Sequence, residues 1–430
     1  MKKKKTCPTV KMIALSILAI TVTSGLLSPS WAAAQEIVSG TYDSVRVSSP
    51  APYELTTDSA VVQAVYGDDV NSGVLDREQL FGLSAVAKPT AVVNTDSLLN
   101  KMRDFSKFST GNTSKDTTLA LNIVSWQLPH GGFFKAMEKN YKSKWDGKAA
   151  RSTWKSKDGV ELGTFDNEAT TTEIRFLADV YKKTKNKDIK NSVQKAVDFV
   201  LTSQYSSGGW PQVYPKRGNY SDAVTYNDDA MVRVMVLADD IVNKKQPFDS
   251  DILDNSYRTR LQQALNKGIQ YTIKSQIVNN GTPTIWGAQH DPATYASVAA
   301  RAFELPSKTT TESVGITAFL MSQPQTAEVK KAAQSALKWF DANRIDGIKY
   351  NRQGPEFFQK DASSVMWYRF YNVEDNKYFF SDRDGKKYTD IMKISEERRL
   401  GYAWAGSQAK SLLKLASDSG YYKLSKPLPQ

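Results

Sequence analysis

Apolar residues recur along much of the chain with the period of a helix lying against a packed surface. Ile189, Val193, Ala196, Val197, Val200 and Leu201 fall at spacings of 4, 3, 1, 3 and 1, a single stripe on a 3.6-residue helix. Val329, Ala332, Ala333, Ala336, Leu337 and Phe340 repeat that stripe, and Leu261, Leu265, Ile269 and Ile273 draw it more thinly. The run Met231-Val232 and Val234 to Ala238 is apolar almost all round, as a helix enclosed by others must be. Amphipathic and enclosed helices therefore alternate.

Two internal repeats turn this alternation into an architecture. Helices end in Ser125-Trp126-Gln127, Ser203-Gln204 and Ser275-Gln276, with the glutamines 77 and 72 residues apart. Glycine and an aromatic follow each time: Gly131-Gly132-Phe133, Gly208-Gly209-Trp210, and Gly281 with Trp286. At an offset of 60, Asn167 falls on Asn227, Glu168 on Asp228, and Leu177-Ala178-Asp179 on Leu237-Ala238-Asp239. Each unit is a helix, a long loop and a returning helix. Stretches 127–166, 204–228 and 276–309 are long, whereas the returns near 182–188 and 322–326 are short. Three such pairs predict an all-α fold, an (α/α)3 toroid or incomplete α/α barrel, with a functional cleft at the long-loop end. The run from Ile345 to Ile394, crowded with aromatics and charges, reads as further loop capping the same end.

The pattern fails from Gln35 to about Val93, which is rich in Ser, Thr, Val, Gly and Asp. Residues 35–93 are read as a small irregular or β-leaning N-terminal segment of unknown role, and 94–430 as the helical domain. Residues 1–34 have the parts of a secretory signal: a basic start at Lys2 to Lys5 and Lys11, an apolar stretch from Met12 to Leu27, and Ala32-Ala33-Ala34 as a small-residue cleavage site. Export, with no membrane attachment after cleavage, is the expectation. The full chain carries +12, and loss of five signal lysines with no acid leaves +7, still basic. The scattered lysines and the export signal argue against nucleic acid as the partner. Cys7 leaves with the signal, so disulfide and thiolate chemistry are excluded from the mature protein. Only His130 and His290 remain as histidines, which excludes a histidine-rich zinc site. Carboxylates, Lys, Arg, Tyr and a hard cation are left to do chemistry.

Asp166-Asn167 and Asn227-Asp228-Asp229 precede returning helices. Asp and Asn are preferred helix N-caps, and any one of them is commonest in that role. Capping needs one side chain, however, and here oxygen donors gather in two loops at the same end. Such a cluster suits a hard, oxygen-seeking ion, with Ca2+ the natural candidate. Arg301, Arg369 and Arg383 are commonest as surface ion pairs when taken singly. Four aromatics around Arg369 and two aspartates around Arg383 would hold a guanidinium rigidly, as bidentate carboxylate recognition requires. Gln204 to Trp210 reads Q-x-x-x-G-x-W, a signature shared with triterpene cyclases. The D-x-D-D acid of those enzymes is missing, so the match is read as a helix-end packing device.

Several longer motifs resemble the family ten polysaccharide lyases, the pectate lyases. They are Gln127-Leu128-Pro129-His130-Gly131-Gly132-Phe133-Phe134-Lys135, Thr164-Phe165-Asp166-Asn167-Glu168-Ala169-Thr170, Gly209-Trp210-Pro211-Gln212, Tyr226-Asn227-Asp228-Asp229-Ala230, Trp286-Gly287-Ala288-Gln289-His290-Asp291 and Ser395-Glu396-Glu397-Arg398-Arg399. The resemblance runs from about Asp104 to Gly406 and implies Ca2+-dependent β-elimination on polygalacturonate or pectin. It implies Asp228 as a calcium ligand with Asp229 beside it, Asp166 and Asn167 in the catalytic subsites, and Arg301 as the base that takes the C5 proton. Arg369 and Arg383 would bind uronate carboxylates. Lys135 and Trp210 join them as substrate-binding candidates, Lys135 also as an alternative base. Where the family often has P-P-S-L-S-G-S-E-S after the base, this chain has Leu305-Pro306-Ser307-Lys308-Thr309-Thr310-Thr311-Glu312-Ser313.

An arginine base demands that burial and neighbouring cations lower its pKa, because a free guanidinium stays protonated far above neutrality. A secreted, monomeric lyase is the leading reading. An α/α-toroid glycoside hydrolase using Asp166 and Asp228, or a pectin-binding protein without catalysis, are the alternatives.

Overall fold

The helices form where the apolar stripes run. In the computed structural model, which describes residues 92–354 and 356–429, we number the eight longest α1 (Thr113–Trp126), α2 (Thr171–Thr184), α3 (Lys187–Ser203), α4 (Ala230–Val242), α5 (Asn255–Lys274), α6 (Thr310–Met321), α7 (Ala327–Ala342) and α8 (Gln408–Asp418). The expected signal and nearly all of the 35–93 segment lie outside the described residues. The chain is already tied in at Val93, whose buried N–H donates to Met321 O. No helix among the described residues is long and apolar enough to cross a membrane.

Burial sorts the helices into two layers. The stripe from Ile189 to Val200 on α3 and that from Val329 to Phe340 on α7 are buried on one face only, whereas α4 and α6 are buried almost throughout. The inner helices α2, α4 and α6 each pack on the outer helix that follows, α3, α5 and α7. Neighbouring pairs pack inner on inner and outer on outer, while α1 covers one end of the arc and α8 the other. This is an α/α toroid that does not close into a barrel.

The glutamine repeat is the joint between units. Nε2 of Gln127 donates to Gly131 O and to Ser192 O on α3, at 2.8 and 2.9 Å. Nε2 of Gln204 donates to Gly208 O and to Ala264 O on α5, both at 2.8 Å. Gln276 does the same to Thr284 O and to Ala332 O on α7. Each glutamine thus ends an outer helix, folds back the loop and grips the next outer helix. The glycines let the loops come close enough: a Cβ on Gly131 or Gly208 would lie 2.2 Å from a carbonyl oxygen of the neighbouring helix, Lys195 O or Lys267 O.

One expectation is corrected here. The run 345–394 is not all loop, since about half of it is strand. Ile345–Tyr350 pairs antiparallel with Phe358–Tyr368, and Phe370–Tyr371 lies between Lys308–Thr309 and Tyr378–Phe379. Phe370, Phe379, Phe380, Ile391, Ile394 and Trp404 make a second small core beneath these strands. Pairing with 308–309 brings Arg369 to the start of α6, where its carbonyl accepts from Thr310 N at 3.1 Å.

Gly208 combines a φ of +107° with that backbone approach, so Gly208→Ala should cost about 3 kcal/mol from the left-handed geometry and the overlap together. A clear fall in Tm by calorimetry is expected. An unchanged Tm would show that the joint yields.

Candidate functional site

All four outer helices α1, α3, α5 and α7 begin with a side-chain cap, from Asn112, Asn186, Asp254 and Thr326. The inner helices α2, α4 and α6 have no side-chain cap at all. The Asp and Asn residues before α2 and α4 are therefore not spent on capping, and they stand at the long-loop end. Their backbone is contorted: Asn167, Glu168, Asp228 and Asp229 all have φ between 47° and 70°. Left-handed non-glycine residues are costly and persist only where surrounding structure enforces them.

These two turns share a cavity of about 290 Å³. It is lined by Asp166, Asn167, Asn227 and Asp228, by Lys135 and Trp154, and by Arg301 with Glu304; Gln212, Tyr220 and Gln289 complete it. A second cavity of about 350 Å³ adjoins it across Asn167 and Asp228, and is bordered by Asp229, Arg233, Glu312 and Arg369. The structure thus brings together residues from the three long loops that the sequence placed at one end, with Arg369 from the strand-bearing run that follows them.

The cations of the site are already engaged. Lys135 Nζ bonds Asp166 Oδ2 and lies over the Trp154 ring. Arg301 grips Glu304 through Nε at 2.8 Å and Nη2 at 2.5 Å. Arg369 Nη2 bonds Glu312 Oε1 at 3.0 Å, with the guanidinium over the Tyr402 ring. Asp228 is the exception. It receives the Asn227 amide at 2.8 Å and forms no ion pair among the described residues. Burial and then the charge of Asp166 push its carboxyl above the ordinary value, against the pull of Arg369. A cleft carboxylate lacking a cation among the described residues, beside other oxygen donors, fits a hard divalent ion. No group of three His, Cys, Asp or Glu side chains placed to hold a metal stands together among the described residues.

Several expectations need correcting. Trp210 is fully buried, its Nε1 donating to Val200 O and its ring filling the space beside Gly268, so it cannot touch substrate. It belongs to the packing joint that its motif suggested. Asp229 borders only the second cavity. Its Oδ2 accepts from Lys101 at 2.6 Å and its Oδ1 packs toward Gly315, which leaves Asp228 as the aspartate facing the first cavity. Arg383 borders neither cavity; it is exposed and doubly bonded to Glu397. The expected lowering of the Arg301 pKa is reversed, since Glu304 raises it through hydrogen bonds and charge. Glu304 itself is drawn up by burial, but Arg301 outweighs this and holds it below the usual carboxylate range.

Sequence reasoning overlooked Trp154 and Tyr220, which carry no charge and lie in loops without a period. Gln212, Gln289 and Glu312 stood in quoted motifs without being given a role. Glu304 was also missed, and its spacing of three residues from Arg301 was the one signal that could have found it.

The comparisons with known proteins agree with this geometry. A toroid of helix pairs with an acid- and arginine-lined cleft is the frame of a polysaccharide lyase. The pectic acid lyase family profile matches residues 127–413. The chain is similar to the family 10 polysaccharide lyase from Cellvibrio cellulosa, at 39% identity and a TM-score of 0.67, over 76% of this chain and 97% of that one. It is equally similar to an aspartate-to-alanine mutant of that enzyme in complex with trigalacturonic acid, at 39% identity and 0.67, over 76% and 98%. No curated protein matches. The chain belongs to the pectic acid lyases of family ten and is a polysaccharide lyase.

Because the Asp228 pKa is raised by burial and like charge, the carboxyl favours folding below its unfolded value and works against it as pH rises through the folded one. Asp228→Asn removes that cost and keeps a residue tolerant of φ near 54°. The variant should melt above the parent at pH 7 in chelator and lose the advantage near pH 3. Equal melting at both pH values would contradict the assignment.

Proposed function

We propose that the protein is a secreted, Ca2+-dependent pectate lyase that cleaves 1,4-linked α-D-galacturonan by β-elimination and leaves 4,5-unsaturated ends. The observation that carries this reading is the first cavity, where Asp166, Asp228, Lys135 and Arg301 meet. The relative that binds trigalacturonic acid supports the substrate class.

The C5 proton of a uronate is α to a carboxylate, so its removal adds charge to a group already negative. Asp228 would hold Ca2+, with water and substrate completing the shell, and the ion supplies the positive charge that offsets this. Asp166 and Asn167 position the reacting sugar, and Lys135 and Arg369 meet carboxylates of the chain. Arg301 accepts the C5 proton. The C4–O bond then breaks as the C4–C5 double bond forms; the proton lost at C5 balances the one gained by the departing hydroxyl, and no water is consumed.

For Arg301 to act, its guanidinium must leave Glu304. A uronate entering the cavity offers a carboxylate in exchange. With the Arg301 pKa raised in the free enzyme, the deprotonated form grows with every unit of pH, so activity climbs into the alkaline range. The reading includes export after cleavage near Ala34 and action as a monomer; amino-terminal sequencing and sedimentation of protein from culture fluid check both.

Incubation with polygalacturonate should raise ultraviolet absorbance, and a chelator should abolish the rise. Saturated products alone would mark a hydrolase, and binding without cleavage would mark a pectin-binding protein. Arg301→Ala should lower kcat by about 10²–10⁴. Glu304→Gln, by removing what raises the Arg301 pKa, should move the alkaline limb to lower pH. Full activity in Arg301→Ala, or an acid optimum, would refute the role of Arg301.

A further inference from the structure

One guanidinium near the cleft is not engaged as the others are. Arg301, Arg369 and Arg233 each face a glutamate, Glu304, Glu312 and Glu168, and Arg383 and Arg398 share Glu397. Arg217 makes no ion pair and no side-chain hydrogen bond among the described residues. It lies over Trp154, with its guanidinium carbon 4.3 Å from the ring centroid. Trp154 lines the first cavity and carries Lys135 at 4.4 Å from its centroid.

The turn that carries Arg217 is braced. Asp222 in that turn is spent on backbone, accepting from the N–H groups of Arg217 and Gly218, both at 2.7 Å. Tyr220, on the same turn, reaches into the cavity. The backbone is thus fixed, the planar group is oriented by an aromatic face, and its five donors are left open. Stacking orients a guanidinium without using its in-plane donors. An open, preoriented fork at the rim of a site for acidic sugars is suited to a carboxylate held through two parallel N–H···O bonds.

We propose that Arg217, laid on Trp154, binds the carboxylate of the uronate neighbouring the one that reacts, and so makes a subsite selective for unesterified sugar. This rests on the galacturonan reading above. A methyl ester has no anionic oxygen pair for the fork, so Arg217 discriminates between free and esterified residues at that position. Arg217 acts on binding and leaves the chemical step to the residues that line the first cavity.

The test is calorimetric titration of trigalacturonate into the full chain carrying Arg301→Ala, so that no turnover intervenes, with and without a second change at Arg217. Arg217→Gln should weaken Kd by about tenfold, a loss of about 1.4 kcal/mol; Arg217→Lys, with charge but no fork, should fall between. With Arg301 intact, Arg217→Gln should raise KM on polygalacturonate by a similar factor and leave kcat within about threefold. The methyl-esterified trimer should bind both forms alike. A Kd within about twofold of the background, a loss confined to kcat, or equal weakening toward the ester would overturn the subsite. Because binding is read without turnover, a failure to form unsaturated product sinks the lyase reading and leaves this measurement standing. Should Arg217→Gln melt lower than the parent, Arg217→Lys at unchanged Tm decides.

Discussion

Asp228 is a carboxylate of the cleft that the fold leaves without a cation among the described residues, and the arrangement of the cleft follows from that vacancy of charge. Around it every positive side chain has been given another partner: Lys135 to Asp166, Arg301 to Glu304, Arg369 to Glu312, Lys101 to Asp229. Had any of these turned to Asp228, its charge would be met within the protein and nothing would draw a divalent ion to the spot. The turn holding it adopts left-handed geometry at Asp228 and Asp229, and the helix it opens receives no side-chain cap. Stability is given up at this turn, as at Asn167 and Glu168, and the site's charge stays open.

The frame that tolerates this is assembled at the opposite layer. Outer helices are capped, striped and clipped together by Gln127, Gln204 and Gln276, each with a bond to its own loop and a bond to the next outer helix. Inner helices contribute buried apolar surface along their length and leave their amino ends to the cleft. Since both layers are one continuous core, strain in the inner turns is held by burial elsewhere. The separation of tasks is why residues 60 apart, Asn167 and Asn227, meet at one cavity.

Much of this was legible in the sequence, for reasons that can be named. Helix periodicity is local, so the stripes of α3, α5 and α7 could be counted, and the enclosed α4 stood out by having no polar face. The repeat reported which loops share an end. The strands from Ile345 to Ser381 escaped because their aromatics pack into a second core through partners distant in sequence, such as Lys308–Thr309. Trp210 was misplaced among substrate residues because an aromatic beside glycines looks alike whether it stacks on a sugar or fills a joint. The direction of the Arg301 pKa was also out of reach. It depends on whether Glu304 folds back onto its own segment, and sequence spacing permits that pairing without requiring it.

That pairing bears on how a guanidinium-rich cleft can stay both folded and receptive. Empty, Arg301 and Arg369 left bare would repel each other and destabilise the closed loops. Glu304 and Glu312 cancel the repulsion, and each does so with the chemical group that a uronate presents. Substrate can therefore replace a glutamate at an arginine while the number and kind of charged hydrogen bonds stay nearly constant, so desolvation of the guanidinium is not incurred anew. What changes is the glutamate, set free beside Asp228: the charge of Glu304 already acts on that carboxyl. A polyanion entering this cleft thus increases the negative charge near Asp228, and under the proposed calcium-dependent reading the hold on a divalent cation would strengthen with substrate present. Coupling of that sign would make metal and sugar acid bind together, as that proposal requires of a protein with no preformed three-ligand metal cluster among its described residues.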